Sequence, residues 1–108
     1  MKQRYVLIKC VEGTVRLNAD QIVMVESCKH RNTIITENGE YHIYCKLDDI
    51  QLLLEKYGFV RAHKSYLVNV RYMKSICNYK LTLNNGDVLN IPRKRYTYVK
   101  SFFDENGT

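Results

Sequence analysis

No apolar run in this sequence approaches the roughly 20 residues needed to cross a bilayer, and the opening MKQRYVLIKC lacks a signal-peptide pattern. Both absences argue against export or insertion and lead to the expectation of a cytoplasmic protein. Cysteine occurs four times, at Cys10, Cys28, Cys45 and Cys77, but never as C-x-x-C. His30, His42 and His63 do not fall at zinc-ligand spacings from those thiols. The cysteines therefore read as reduced, mostly small apolar residues in strand-like runs, with a disulfide framework or a zinc site as the minor alternative. The five glycines are scattered through turns rather than gathered into a phosphate-binding loop. No Ser/His/acid or Cys/His arrangement has supporting context. The expectation is a non-enzyme with no catalytic residue, no metal and no cofactor. Repeats, low-complexity tracts and linkers are missing too, and 108 residues make one domain. That domain is expected to span 1–103, with 104–108 (DENGT) as a disordered tail.

Acidic residues are scarce in one half only. From Met1 to Glu55, seven Lys/Arg face eight Asp/Glu, whereas from Lys56 to Phe103 ten Lys/Arg face the single acid Asp87. A basic half on a domain with 45% hydrophobic residues, enough for a real core, favours a polyanionic partner, most often nucleic acid.

The apolar pattern predicts short strands divided by turns: 5–10, 15–18 and 21–28, then a hairpin over 33–45 about Asn38-Gly39, the pair best suited to a type I′ turn. Two further turns, at 78–80 and at Asn85-Gly86, divide 73–91. Helical spacing appears over 46–58, where Leu47, Ile50, Leu53, Leu54 and Tyr57 share a face and Gly58 suits the C-cap. Asp48 and Asp49 in its first turn suit the helix dipole. A short terminal helix is expected over 93–103, with Tyr96, Val99 and Phe103 on one face and Pro92 just before it. The fold class is mainly β, with a central α-helix and a short C-terminal one.

The segment FVRAHKSYLVNVRYMKSI (59–76) is the most specific feature. It resembles the signature of the LytTR family of bacterial DNA-binding domains, F-x-R-x-H-x-S-[YF]-x-V-N followed by an apolar strand. Phe59, Arg61, His63, Ser65, Tyr66, Val68 and Asn69 fill seven positions within eleven residues without a gap. The flanks agree from about Arg16 to Val99: a strand ending in Glu26, a polar turn, an Asn-Gly hairpin, an amphipathic helix, and a basic patch ending in Tyr96. One departure is that Pro92 or Arg93 stands where the family usually has a serine before the basic pair. The resemblance implies an elongated fold of small antiparallel sheets, about ten strands with little helix. It also implies double-stranded promoter DNA as partner, read by three loops in successive major grooves, with pairing on direct repeats. Family members often carry a receiver domain, and stand-alone ones sometimes answer to a membrane-bound partner.

Carried onto this sequence, the first loop is Cys28-Lys29-His30-Arg31-Asn32, where position counting within the family favours Asn32, with Arg31 as the alternative, as base reader. Lys29 and Arg31 equally suit solvated surface charge. The second is His63-Lys64-Ser65. Lys64 reads as a base or phosphate contact. Arg61 and His63 alternate with Phe59 on one strand face, so His63 divides between a buried hydrogen bond and a phosphate contact. Ser65 either binds phosphate or caps its turn, and Asn69 ties the turn's backbone. The third is Arg93-Lys94-Arg95, where Arg95 or Lys94 is expected to read a base while Arg93 holds the backbone. Lys74 and Lys80 extend the charged footprint or are simply solvated. Two alternatives remain: a single-stranded nucleic-acid binder stacking bases on Tyr41, Tyr44 and Tyr79, and a protein-interaction module with incidental charge.

Overall fold

The computed structural model describes residues 4–106, among which lie ten strands and two α-helices. The strands are β1 (Tyr5–Cys10), β2 (Gly13–Asn18), β3 (Ile22–Cys28), β4 (Arg31–Thr36), β5 (Gly39–Ile43), β6 (Phe59–His63), β7 (Tyr66–Asn69), β8 (Met73–Cys77), β9 (Lys80–Leu83) and β10 (Val88–Asn90). Helix α1 (Leu47–Leu54) separates β5 from β6, and α2 (Arg93–Asn106) closes the chain. Seven strands pair antiparallel in the order β2-β1-β5-β4-β3-β7-β6, and three in the order β10-β9-β8. The molecule measures 39 × 38 × 24 Å.

Short polar turns produce the hairpins, though not always where Asn-Gly pairs suggest. Cys28 pairs with Arg31 across Lys29-His30, and Cys77 with Lys80 across Asn78-Tyr79. All four turn residues have positive φ (50° and 65°, 51° and 62°), the geometry of type I′ turns that matches strand twist. At Asn38-Gly39 the expected turn is shifted by one residue. Thr36 pairs with Gly39 across Glu37-Asn38, because the Thr36 hydroxyl donates to Gly39 O (2.8 Å) and accepts from Asn38 N (3.2 Å).

Apolar clusters form on both faces of the large sheet. On one face α1 lays Leu47, Ile50 and Leu54 against Ile8, Val25, Ile34, Phe59 and Leu67. On the other, the three-stranded sheet and α2 bring Leu81, Leu83, Ile91 and Val99 onto Val23, Met24, Val60, Ala62 and Val68. Neighbours such as Leu67 and Val68 go to opposite clusters, as strand alternation requires. Helix α1 runs into a single 3₁₀ turn (Glu55–Tyr57) and stops at Gly58, whose φ of 88° a side chain would resist.

Two expectations need correction. Helix α2 continues through Asp104 and Glu105 rather than fraying at 103, since Lys100 pairs with Asp104 one turn on (3.0 Å); residues 107–108 of the expected tail lie outside the described residues. Among the cysteines only Cys10 is buried, Cys45 is half-buried, and Cys28 and Cys77 sit exposed at strand ends beside the two type I′ turns; all four are free thiols.

Candidate nucleic-acid interface

Sheet order gathers the candidate segments. Strand β3 lies between β4 and β7, and β7 between β3 and β6. Glu26 pairs with Tyr66, and Ser27 N donates to Ser65 O (2.9 Å), so the Lys29-His30 and Lys64-Ser65 turns leave the same end of the sheet. With strands spaced by roughly 4.8 Å, β3 and β6 stand about 10 Å apart. The start of α2 joins them, because Arg95 Nη1 donates to Arg61 O on β6 (3.2 Å). Lys29, Arg31, Lys64, Arg93, Lys94 and Arg95, far apart in sequence, thus share one edge.

At the first turn, Lys29, His30 and Arg31 are exposed. Asn32 is turned inward. Its Nδ2 donates to Cys45 O (2.7 Å), and its Oδ1 is buried with no protein partner. The amide is a strut between β4 and the β5–α1 connection, which removes it from the edge where a base would be read.

At the second turn, Lys64 is exposed at the tip while its neighbours His63 and Ser65 are half-buried. The Arg61 side chain is only 14% exposed. Its Nη1 donates to Asp48 Oδ1 (2.8 Å) and Gln51 Oε1 (2.9 Å) on α1, its Nε to His63 O (2.9 Å), and its Nη2 to Lys64 O. Arg61 therefore secures the turn rather than presenting a cation, and the adjacent Arg61 holds the Asp48 carboxyl below its usual range. A register shift between Arg61 and His63 overturns the simple alternation expected for FVRAH. His63 stacks on Tyr66 (4.9 Å), a residue of the α2-side cluster, whereas Arg61 reaches α1 on the opposite face. His63 Nδ1 accepts from Ser65 N (3.0 Å), which assigns the neutral ring's proton to Nε2. Burial first, then Lys64, Arg95 and Arg61, push the His63 pKa below its ordinary value.

The third element is not a loop. Arg93-Lys94-Arg95 form the first turn of α2, which contains no acid. Cations at the positive end of a helix are unfavourable unless an anion sits there. Arg93 lies over the Tyr79 ring (5.1 Å), and Tyr79 packs on Tyr96 (4.6 Å). Lys94 is exposed and lines a shallow groove with Arg95 and Tyr98.

Sequence reasoning missed Asp48 and Gln51, the acceptors that hold Arg61. The available signal was their spacing, three residues apart on one face of α1. The tyrosine platform is not assembled: Tyr41 packs against the α1-side core, Tyr79 is taken by Tyr96 and Arg93, and Tyr44 alone is strongly exposed. A cavity of about 480 Å³ lined by Arg4, Lys56, Tyr57 and Arg71 opens beside Gly58 and Asn69, at the opposite ends of β6 and β7. Among the described residues no three His, Cys, Asp or Glu side chains gather as a metal site, and no helix is long and apolar enough to cross a membrane.

The chain resembles known proteins in sequence and in fold. The transcriptional regulatory protein NatR of Bacillus subtilis (strain 168) is 31% identical over 74 residues, covering 68% of this chain and 32% of NatR. The chain thus spans about a third of that relative's length. The structure of a LytTr DNA-binding domain from Bacillus cereus superposes with a TM-score of 0.76 at 21% identity, covering 94% of this chain and 97% of that one. The family model for the LytTr DNA-binding domain matches residues 12–104. The chain belongs to the LytTR family of DNA-binding domains.

Proposed function

We propose that this chain is a sequence-specific double-stranded DNA reader that regulates transcription from promoters carrying direct repeats. The observation that carries the reading is the convergence of six cations, from three distant segments, on one end of the sheet. The two turns and the first turn of α2 enter successive major grooves. Lys29, His30 and Arg31 form the first contact. Lys64 forms the second, donating to guanine O6 and N7 or to phosphate, with the Ser65 hydroxyl on phosphate. Lys94 and Arg95 form the third, with Arg93 holding the backbone. His63, Asn32 and Arg61 support these contacts from behind, although the Nε2–H of neutral His63 remains a donor toward phosphate. Copies pair on DNA when repeats are adjacent. The role is binding rather than catalysis, and a DNA target implies a cytoplasmic site of action. In a longer regulator, a receiver domain or a membrane-bound partner would supply the signal.

Fluorescence anisotropy with labelled oligonucleotides tests this reading. Duplex binding should exceed single-strand binding, and log K should fall with log salt at about −0.9 per phosphate neutralised. Equal affinity for both forms, or a flat salt response, contradicts the proposal.

A further inference from the structure

We infer that Asp48 and Gln51 on helix α1 are positioning residues for DNA reading: they hold Arg61, and Arg61 holds the turn that presents Lys64. The inference rests on the function proposed above. The guanidinium is a rigid planar fork. Here one side of it takes two acceptors from α1, Asp48 Oδ1 at 2.8 Å and Gln51 Oε1 at 2.9 Å. The rest takes the carbonyls of His63 (2.9 Å), the last residue of β6, and Lys64, the first of the turn. Arg61 is shielded, with 14% of its side chain exposed, while Asp48 is 82% exposed. The brace is therefore anchored from a side chain that water, or a partner lying on α1, can reach.

The turn needs such an anchor. The β6–β7 ladder is irregular just before it, with the register shift between Arg61 and His63. Cross-strand pairing alone thus leaves the Lys64 backbone under-determined, and the two carbonyls on Arg61 supply the missing restraint. When Asp48 loses its charge, Nη1 keeps only neutral acceptors, and the guanidinium can swing out toward solvent or a DNA phosphate. Lys64 then samples several directions, which weakens base reading more than phosphate contact.

The sign of the effect separates this brace from simple electrostatics. Asp48 is a carboxylate at the start of α1, near a polyanion's docking edge, so Coulomb repulsion alone says that neutralising it tightens every DNA complex. The brace says the reverse for the correct sequence. Asp49 serves as the control, being another exposed acid in the same helical turn that makes none of these contacts with Arg61.

The test measures Asp48→Asn and Asp49→Asn in the full chain, on the duplex that wild type prefers and on an unrelated duplex of equal length. The expected result for Asp48→Asn is about five-fold weaker binding to the preferred duplex. Affinity for the unrelated duplex stays unchanged or rises, and the melting midpoint moves by a few degrees at most. Asp49→Asn binds both duplexes as well as wild type or better, and Asp48→Glu recovers most of the lost preference. Parallel behaviour of the two Asn variants overturns the brace. If wild type prefers no duplex, the proposed function fails instead, and the brace is then judged by nuclear magnetic resonance. The Lys64 and Ser65 amide signals should shift in Asp48→Asn and not in Asp49→Asn, and unmoved signals refute it.

Discussion

Replacing Arg61 by methionine decides whether this signature arginine is a strut or a DNA contact. Methionine keeps the apolar stem in place and removes every donor. Four hydrogen bonds are lost, to Asp48, Gln51, His63 O and Lys64 O. A hydrogen bond to a charged group contributes about 1.5–3 kcal/mol when shielded, but the exposed Asp48 partner adds little, and the vacated turn carbonyls can be rehydrated. The net loss should be about 2–3 kcal/mol. For a domain of this size each kcal/mol moves the melting midpoint by about 4–8 °C, so the drop should be about 10–20 °C. Thermal unfolding followed by circular dichroism measures it, with Lys64→Met as an exposed control that should stay within about 0.5 kcal/mol of wild type. An Arg61→Met midpoint within about 2 °C of wild type would refute the strut and return Arg61 to the DNA-facing set.

Asn69 is 1% exposed, donates to Ala19 O (3.3 Å) and Ile22 O (2.9 Å) and accepts from Arg71 N (3.0 Å); Asn69→Leu should cost about 2–4 kcal/mol in urea unfolding, and a cost below 1 kcal/mol would contradict that role. His63 titrates below its ordinary value of 6.5 in the folded chain. The unfolded chain therefore takes up the proton first, so this stability is complete above pH 6.5 and is lost as pH falls from there through the folded value. Urea midpoints between pH 7.5 and 5.5 should fall further for wild type than for His63→Gln, and parallel curves would refute the assignment. Lys64→Ala should weaken binding to the preferred duplex by about 1–3 kcal/mol in anisotropy titrations. A salt slope that also drops by about 0.9 marks Lys64 as a phosphate contact, an unchanged slope marks it as a base contact, and wild-type affinity removes it from the edge.

The sequence made the strands, the central helix and the basic half legible, because alternation, helical spacing and charge counts are local. It also carries the signature at 59–69, which points to the family. What it could not convey is where each polar side chain finds its partner. Asn32 looked like a loop residue, yet β4 begins at Arg31, and alternation turns the amide toward Cys45. Arg61 and His63 were placed on one face until the register shift separated them. Asp48 had a sufficient local explanation as a helix-dipole residue, which hid its contact with an arginine 13 residues away. The turns about Lys29-His30 and Asn78-Tyr79 are legible in the sequence, but their type I′ geometry is not, because neither contains glycine.

Selection of bound sequences from a random duplex library, at near-physiological salt with the purified chain, tests the central claim most directly. The account expects enrichment of a short motif, recurring as spaced direct repeats. Salt-sensitive binding without enrichment of any motif would contradict sequence-specific reading by this edge.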